Sequence, residues 1–168
     1  TAMDPDHLDI YGTAEAMEQA FIDFSHKLRP GGLLINKFGL KRTADLKAER
    51  ILSYSLQNES ADAYAKDIVM KNGSYEFDVV IKDKNLENIL LHMGGMHNVE
   101  NAVAAITVAS SLAIENNQIK AGMESFRGVK RRFEYIVKNN RAVFIDDYAH
   151  HPEELRALIQ GAKTLFRQ

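Results

Sequence analysis

Hydrophobic positions along the chain change their spacing several times, and each spacing predicts a different element. Residues 14–28 carry apolar side chains at helical intervals behind Thr13, a helix-capping residue type, and a Pro-Gly-Gly sequence ends this pattern at residues 30–32. Short apolar runs at residues 33–36 and 50–56 then predict buried strands. A helix followed by strands in this order is typical of an α/β layer.

The middle of the chain alternates apolar and polar residues. Two alternating runs, residues 63–70 and 75–81, flank Asn72 and Gly73, and Asn-Gly between such runs is a strong hairpin signal. A further run at residues 88–92 predicts a third strand. The sequence therefore predicts an α/β fold whose mixed sheet carries an antiparallel extension.

The last quarter of the chain indicates a second domain. Four cations surround Gly128, and a second hairpin is predicted at residues 135–145, before a helix that Pro152 opens. We therefore expect a domain boundary near Gly128, with residues 1–127 in one domain and residues 128–168 in another.

Composition and charge exclude several classes of function. The 168 residues are 45% hydrophobic and 26% charged, which suits a globular fold with a sizeable core. A formal net charge of -2 gives no general attraction to nucleic acid or anionic lipid, so we expect neither as a partner. The chain has no cysteine, which excludes disulfides, zinc-thiolate sites and thiol nucleophiles and fits a reducing cytoplasm.

The densest group of polar residues follows the apolar run at residues 142–145. It contains two carboxylates, a phenol and two imidazoles: Asp146, Asp147, Tyr148, His150 and His151. In open α/β sheets ligands bind at the carboxyl ends of strands, where two acids can hold a ribose, a metal or an amine. The alternative is a helix-capping loop in which an aspartate pairs with a neighbouring cation. Spacing alone leaves both interpretations open.

Two other clusters are equally open. Gly94 and Gly95 allow close approach of a ligand to the backbone, and Asn98 and Asn101 then share one face of a first helical turn. Two carboxamides can read the edge of adenine, although asparagine near a helix start is commonly a cap. Three carboxylates close to His7 form either a metal-proximal loop or a solvated turn.

Four sequence motifs, taken together, resemble the Mur ligase family. They are DPDHLDIYG at residues 4–12, HNVENAVAA at 97–105, GVKRRFE at 128–134 and DDYAHHPEEL at 146–155. The resemblance covers essentially the whole chain. It implies the latter part of a central ATPase domain followed by the start of a Rossmann-like C-terminal ligase domain. It also implies ATP-dependent joining of L-alanine to UDP-N-acetylmuramic acid through an acyl phosphate in peptidoglycan synthesis, with Mg²⁺ as cofactor.

The resemblance also implies roles for the nucleotide-binding residues. His7 matches the histidine near the catalytic magnesium. Asn98 and Asn101 match the pair that holds adenine, Arg132 matches the arginine that reaches the ATP phosphates and ribose, and Asp147 matches the ribose-binding aspartate. The chemistry of the residue types agrees, since a guanidinium suits phosphate and a carboxylate suits vicinal hydroxyls.

The substrate side rests on fewer residues. Tyr148 and His150 match positions near the muramoyl substrate and the incoming alanine. The tyrosine favours the alanine-adding member over the ligase that recycles murein peptides, where phenylalanine is usual at this place. A non-catalytic nucleotide-binding module and a folate polyglutamate-adding ligase are further alternatives.

Three departures from the family pattern bear on activity. No Gly-x-x-x-x-Gly-Lys-Ser/Thr sequence occurs, so the phosphate-cradling loop is missing. The upstream metal-binding glutamate is also absent, Ala2 stands where asparagine is usual, and Gly94 replaces a proline. With a last helix that reaches the final residue, these features predict a fragment that alone neither hydrolyses ATP nor ligates alanine.

Overall fold

The computed structural model describes residues 3–71 and 73–166, so Thr1, Ala2, Asn72, Arg167 and Gln168 lie outside the described residues. Its elements follow the chain as α1 (Leu8–Tyr11), α2 (Ala14–Ser25), β1 (Leu33–Lys37), a 3₁₀ turn (Thr43–Asp45), β2 (Arg50–Ser55), β3 (Ala63–Lys71), β4 (Ser74–Ile81), β5 (Lys84–Leu91), α3 (Met96–Ser111), α4 (Asn116–Ser125), β6 (Glu134–Lys138), β7 (Val143–Asp146) and α5 (Pro152–Leu165).

Strands β1 to β5 form one sheet in sequence order. The pairs β1–β2 and β2–β3 are parallel, whereas β3–β4 and β4–β5 are antiparallel. This arrangement confirms the predicted mixed sheet and its antiparallel extension. Strand β5 begins at Lys84, four residues before the predicted run, because a tight turn with Lys82 at φ 50° lets Ile81 pair with Lys84.

The core lies between this sheet and α3. Strand β4 alternates buried and partly buried residues, as the sequence pattern predicts, and its Phe77 and Val79 are fully buried. Helix α3 packs Val99, Val103 and Ile106 into the same apolar cluster. Burial of a side chain of this size stabilises the fold by about 1.5–3 kcal/mol, so this packing holds α3 against the sheet.

A smaller unit follows Gly128. Strands β6 and β7 form the predicted second hairpin, an antiparallel two-stranded sheet, and α5 follows it. The carboxylate of Glu154 in the first turn of α5 accepts the backbone N–H groups of His150 and His151 at 3.1 and 3.3 Å. These bonds satisfy donors that a helix start leaves free and fix the loop before α5.

The two units meet at the loop before α3. Phe133 is only 2% exposed, and its ring lies against Gly94. Gly161 of α5 also approaches this loop, since a Cβ built on it would lie 3.4 Å from the Gly95 Cα. A Cβ on Gly94 would clash with the Phe133 ring and with Leu165. The absence of a side chain at residue 94 therefore lets α5 pack against the first unit.

None of the helices within residues 3–71 and 73–166 has the length and apolar character that a membrane crossing requires.

Candidate functional site

Two adjoining cavities flank the start of α3. The first has a volume of about 420 Å³ and is lined mainly by apolar residues, with three polar side chains: Leu91, Met93, Ala102, Ala105, Gly122, Met123, Phe126 and Val129, together with Asn98, Asn101 and Arg132. An apolar cavity with a few convergent polar groups is typical of a small-molecule site.

The two asparagines occupy different environments in this cavity. Asn98 is 7% exposed, and its Nδ2 donates to the Gly94 carbonyl at 2.7 Å. Asn98 therefore holds the glycine loop and does not cap α3, because a cap would accept an N–H. Asn101 is exposed, and its carboxamide makes no hydrogen bond to the described part of the chain. The paired carboxamides that the sequence places on one face thus line one cavity.

Gly95 makes room for a histidine beside the cavities. Its φ of +86° belongs to the left-handed region that favours glycine, and a Cβ there would lie 2.5 Å from the Cε1 of His97. Glycine thus allows the His97 ring to fold back over the loop.

The second cavity has a volume of about 590 Å³ and is rich in ionisable groups from both units. Its lining comprises Asp4, Asp6, His7, Lys37, His97, Arg131, Arg132, Asp147, Tyr148, Ala149, His150, Glu153, Glu154, Ala157 and Leu158. Arg132 lines both cavities, so it lies where they adjoin. Lys37 ends β1 and Asp147 follows β7, which places charged groups at the carboxyl ends of strands.

Asp147 fixes the loop that follows β7. Its Oδ2 accepts the Phe133 N–H at 2.7 Å, and its Oδ1 accepts the Ala149 N–H at 2.8 Å. Each carboxylate oxygen retains a further acceptor position. The alternative of an aspartate paired with a cation holds for Asp146, whose Oδ2 lies 3.9 Å from Arg131 Nε. The loop before α5 is held by Glu154, which the sequence did not single out, because its carboxylate accepts the His150 N–H.

Tyr148 and His150 lie together at the rim of the second cavity. The Arg131 guanidinium lies 4.9 Å from the centre of the Tyr148 ring, and the His150 ring centre lies 5.0 Å from it. The Nδ1 of His150 is 2.9 Å from the Tyr148 carbonyl and 3.5 Å from Glu154 Oε2. Both neighbours are acceptors, so Nδ1 carries the proton and Nε2 is the acceptor in the neutral ring.

His7 is near the start of the sequence, far from residues 147–158, but it lines the same cavity. Its φ is 52°, and its Nε2 is 3.6 Å from Asp6 Oδ2. Within residues 3–71 and 73–166, no three His, Asp or Glu side chains converge as a metal cage. His7 and the carboxylates near it thus supply fewer converging ligands than a complete metal site needs.

Sequence reasoning assigned no role to Lys37 and His97, which also line the second cavity. Lys37 pairs with Glu100 at 2.9 Å. Burial lowers the pKa of His97, Asp147 and Glu100 oppose this shift, and Arg132 adds to it, so the ring favours its neutral form. Two signals in the sequence could have identified these residues. Lys37 stands at the end of a predicted strand, and His97 stands beside the glycine pair.

The mixed sheet, the appended hairpin and helix, and the paired cavities define an α/β protein with a candidate ligand site where two units meet. Residues 1–109 match the Mur ligase middle domain, and residues 131–168 match the Mur ligase glutamate ligase domain. The chain belongs to the Mur ligase family.

Its relatives include two bacterial enzymes named UDP-N-acetylmuramate–L-alanine ligase. The protein from Phocaeicola vulgatus is 41% identical over 99% of this chain and 36% of its own length. That from Cytophaga hutchinsonii is 39% identical over 98% of this chain and 35% of its own length. The chain thus spans just over a third of the length of these relatives.

Solved structures confirm the fold. The UDP-N-acetylmuramate-alanine ligase MurC from Thermotoga maritima has a TM-score of 0.80 and 27% identity, covering 98% of this chain and 37% of that one. MurF from Acinetobacter baumannii has a TM-score of 0.84 and 26% identity, covering 99% of this chain and 36% of that one.

Proposed function

We propose that this chain supplies the nucleotide clamp of an ATP-dependent ligase that joins L-alanine to UDP-N-acetylmuramic acid. Relatives that are 36–41% identical over 99% of the chain carry the name of that activity, which supports the substrate pair. The proposal includes ATP and Mg²⁺ as cofactors and the cytoplasm as the location. It also keeps the predicted domain boundary near Gly128.

One observation carries the proposal: Arg132 lines both the carboxamide-containing cavity and the ionisable cavity. A nucleotide has a flat apolar base at one end and a polyanion at the other. The first cavity suits the base, because apolar side chains surround two carboxamides. The second suits the phosphates, because it contains arginine and lysine side chains.

The polar groups of the first cavity match adenine. Asn101 offers a donor and an acceptor, and Asn98 keeps its carbonyl oxygen after its Nδ2 binds Gly94. Adenine presents an amino donor and ring-nitrogen acceptors. The two asparagines therefore read the base, while the Arg132 guanidinium reaches the phosphates and ribose.

The second cavity takes the ribose and the reacting groups. Asp147 is fixed by two backbone N–H groups and offers its remaining acceptor positions to vicinal hydroxyls. Tyr148 and His150 lie at the rim, where the muramoyl substrate and alanine are proposed to bind. Because Nδ1 of His150 is directed at two acceptors, its Nε2 can accept the proton that the attacking amine loses.

The proposed reaction has two steps. The muramoyl carboxylate attacks the γ-phosphorus of ATP, and the bond from this phosphorus to the bridging oxygen breaks. ADP leaves, and the muramoyl substrate now carries an acyl phosphate. The alanine amine then attacks the acyl carbon and inorganic phosphate leaves. Arg132 would stabilise charge on the transferred group, since catalysis of phosphoryl transfer depends mainly on positioning and electrostatics.

Magnesium enters the proposal only as a cofactor of the family. Mg²⁺ is commonly held by one or two carboxylates together with substrate phosphates and waters. His7 and Asp6 are the candidate ligands for the ion, since they lie next to each other in the second cavity. The described residues form no complete metal cage, so no step above depends on His7 or Asp6.

Calorimetric titration of the 168-residue chain with ATP and with GTP tests the adenine assignment. We expect ATP to bind more tightly than GTP, and Asn101→Ala to weaken ATP binding by about 1 kcal/mol, the typical net contribution of one hydrogen bond. Asn140→Ala is the matched control, since Asn140 is exposed in the turn between β6 and β7. Equal binding of ATP and GTP, or equal effects of the two variants, would count against the proposal.

A further inference from the structure

Lys37 is a cation of the second cavity that has no assigned role. It ends β1, and its side chain lines this cavity but not the first. Its Nζ lies 2.9 Å from Glu100 Oε2 on α3, and the side chains of Lys37 and Glu100 are 39% and 19% exposed. Glu100 does not line the cavity, so the counter-charge lies behind the ammonium.

An ammonium held in this way keeps binding capacity. Lysine has three N–H donors, and Glu100 accepts one of them. The remaining two have no acceptor among the residues that the structure describes. The ion pair therefore fixes the long side chain in place, which lowers the entropy that a flexible lysine would lose on binding a ligand.

Four of the five carboxylates that line the cavity are engaged by other groups: Asp6 contacts His7, and Asp147, Glu153 and Glu154 are held as follows, whereas Asp4 makes no hydrogen bond or ion pair within residues 3–71 and 73–166. Asp147 and Glu154 each accept two backbone N–H groups, and Glu153 pairs with Arg156. Arg132, in contrast, has no carboxylate within ion-pair distance among the residues that the structure describes, and Lys37 is held from behind. Carboxylates outnumber lysine and arginine side chains in this lining by five to three, so an anion would bind at Lys37 and Arg132 in particular and not across the whole cavity.

We infer that Lys37, held by Glu100, binds the phosphate of a polyphosphate chain that lies beyond Arg132, away from the base. The inference rests on the proposed function, because it places the base in the first cavity. Lys37 is a positioning and binding residue for the phosphates, and Glu100 acts only through Lys37. The site at Lys37 requires an oligophosphate anion as its ligand, whether or not a nucleoside is attached to that anion.

Titration of the 168-residue chain with inorganic tripolyphosphate and separately with adenosine tests the inference. We expect Lys37→Gln to weaken tripolyphosphate binding by about three- to tenfold. This range lies between the binding contributions that are typical of exposed and of buried charge pairs. Lys37→Arg should stay within about twofold of the original chain, because the positive charge remains. Adenosine binding should be unchanged in both variants.

Two further variants separate binding from a structural role. Lys71→Gln is the matched control, because Lys71 forms a similar pair with Glu76 at 2.7 Å on the exposed β3–β4 hairpin. Glu100→Gln keeps an acceptor for Lys37 but removes the negative charge behind it, so tripolyphosphate should bind about two- to fivefold more tightly.

The outcomes are distinct. Absence of tripolyphosphate binding, an unchanged affinity in Lys37→Gln, or a loss in Glu100→Gln equal to that in Lys37→Gln would overturn the role of Lys37. Adenosine binding without any effect of Lys37→Gln would retain the proposed function and reject this inference. Tripolyphosphate binding that depends on Lys37 in a chain that does not bind adenosine would reject the proposed base site and keep the phosphate site.

Discussion

Substitution of Gly94 by alanine tests the contact between the two units. A Cβ at this residue would overlap both the Phe133 ring and the Leu165 side chain. Phe133 is 2% exposed, so its ring has little space into which it can move. Overpacking of a close-packed interior typically costs about 1–3 kcal/mol. For a chain of this size each kcal/mol lowers Tm by roughly 2–4 °C, so Gly94→Ala should lower Tm by roughly 2–12 °C.

A second glycine provides a control of opposite sign. Gly122 lies inside α4, and a Cβ there meets nothing within 4 Å. Gly122→Ala should therefore raise the free energy of unfolding by about 0.5–1 kcal/mol, because alanine favours a helix interior. Thermal and urea unfolding of both variants, followed by far-ultraviolet circular dichroism, measures the difference.

A double variant identifies the clash as the cause. Phe133→Leu shortens the side chain that Gly94→Ala would strike, so the double variant should lose less stability than the two single losses added together. An unfolding free energy of Gly94→Ala equal to that of the original chain would refute the close contact between the units. If the two losses of unfolding free energy add strictly in the double variant, the destabilisation by Gly94→Ala does not come from a clash with Phe133.

Three other predictions concern the site and the core. Arg132→Ala should weaken ATP binding by about tenfold or more and adenosine binding much less, because adenosine keeps the ribose but lacks the phosphates; calorimetry measures both. In a ligase that contains this chain the change should also lower kcat, whereas Asn101→Ala should mainly raise KM for ATP. Burial raises the pKa of Tyr54 to about 12, with Glu100 adding to the shift, so the stability that Tyr54 contributes is complete below pH 10 and is lost as the pH rises towards 12. Urea unfolding across this range should show a steeper decline for the original chain than for Tyr54→Phe. Because the 168 residues lack a Gly-x-x-x-x-Gly-Lys-Ser/Thr loop, a phosphate-release assay with ATP, Mg²⁺, UDP-N-acetylmuramic acid and alanine should show no turnover, and substrate-dependent turnover would contradict this prediction.

Local sequence patterns were sufficient for most of the fold. The alternation in β4 follows from the period of a strand with one buried face, and Asn-Gly between two such runs indicates the hairpin. Pro152 suits the first turn of α5, where its missing N–H costs nothing. These signals act within a few residues, so the linear sequence contains them.

The candidate site depended more on contacts between distant residues. The motifs predicted Asn98, Asn101, Arg132 and Asp147 as candidate site residues, but the pairing of Lys37 with Glu100 joins residues that are 63 positions apart. The two backbone bonds of Asp147 could not be read from spacing either, since one of them joins it to Phe133, 14 positions earlier. Such geometry appears only when β1, α3 and the second unit are packed together.

The most direct test of the central claim is a map of backbone amide chemical shifts of the ¹⁵N-labelled chain with ATP and with adenosine. If one nucleotide lies across both cavities, ATP should shift the amides of Asn101 and Gly122 in the first cavity and of Ala149 and His150 in the second. Adenosine should shift the first pair and also Ala149, because its ribose reaches Asp147, which accepts the Ala149 N–H, but it should leave His150 largely unchanged. Shifts by ATP that are confined to one cavity would contradict the claim that Arg132 joins a base site to a phosphate site.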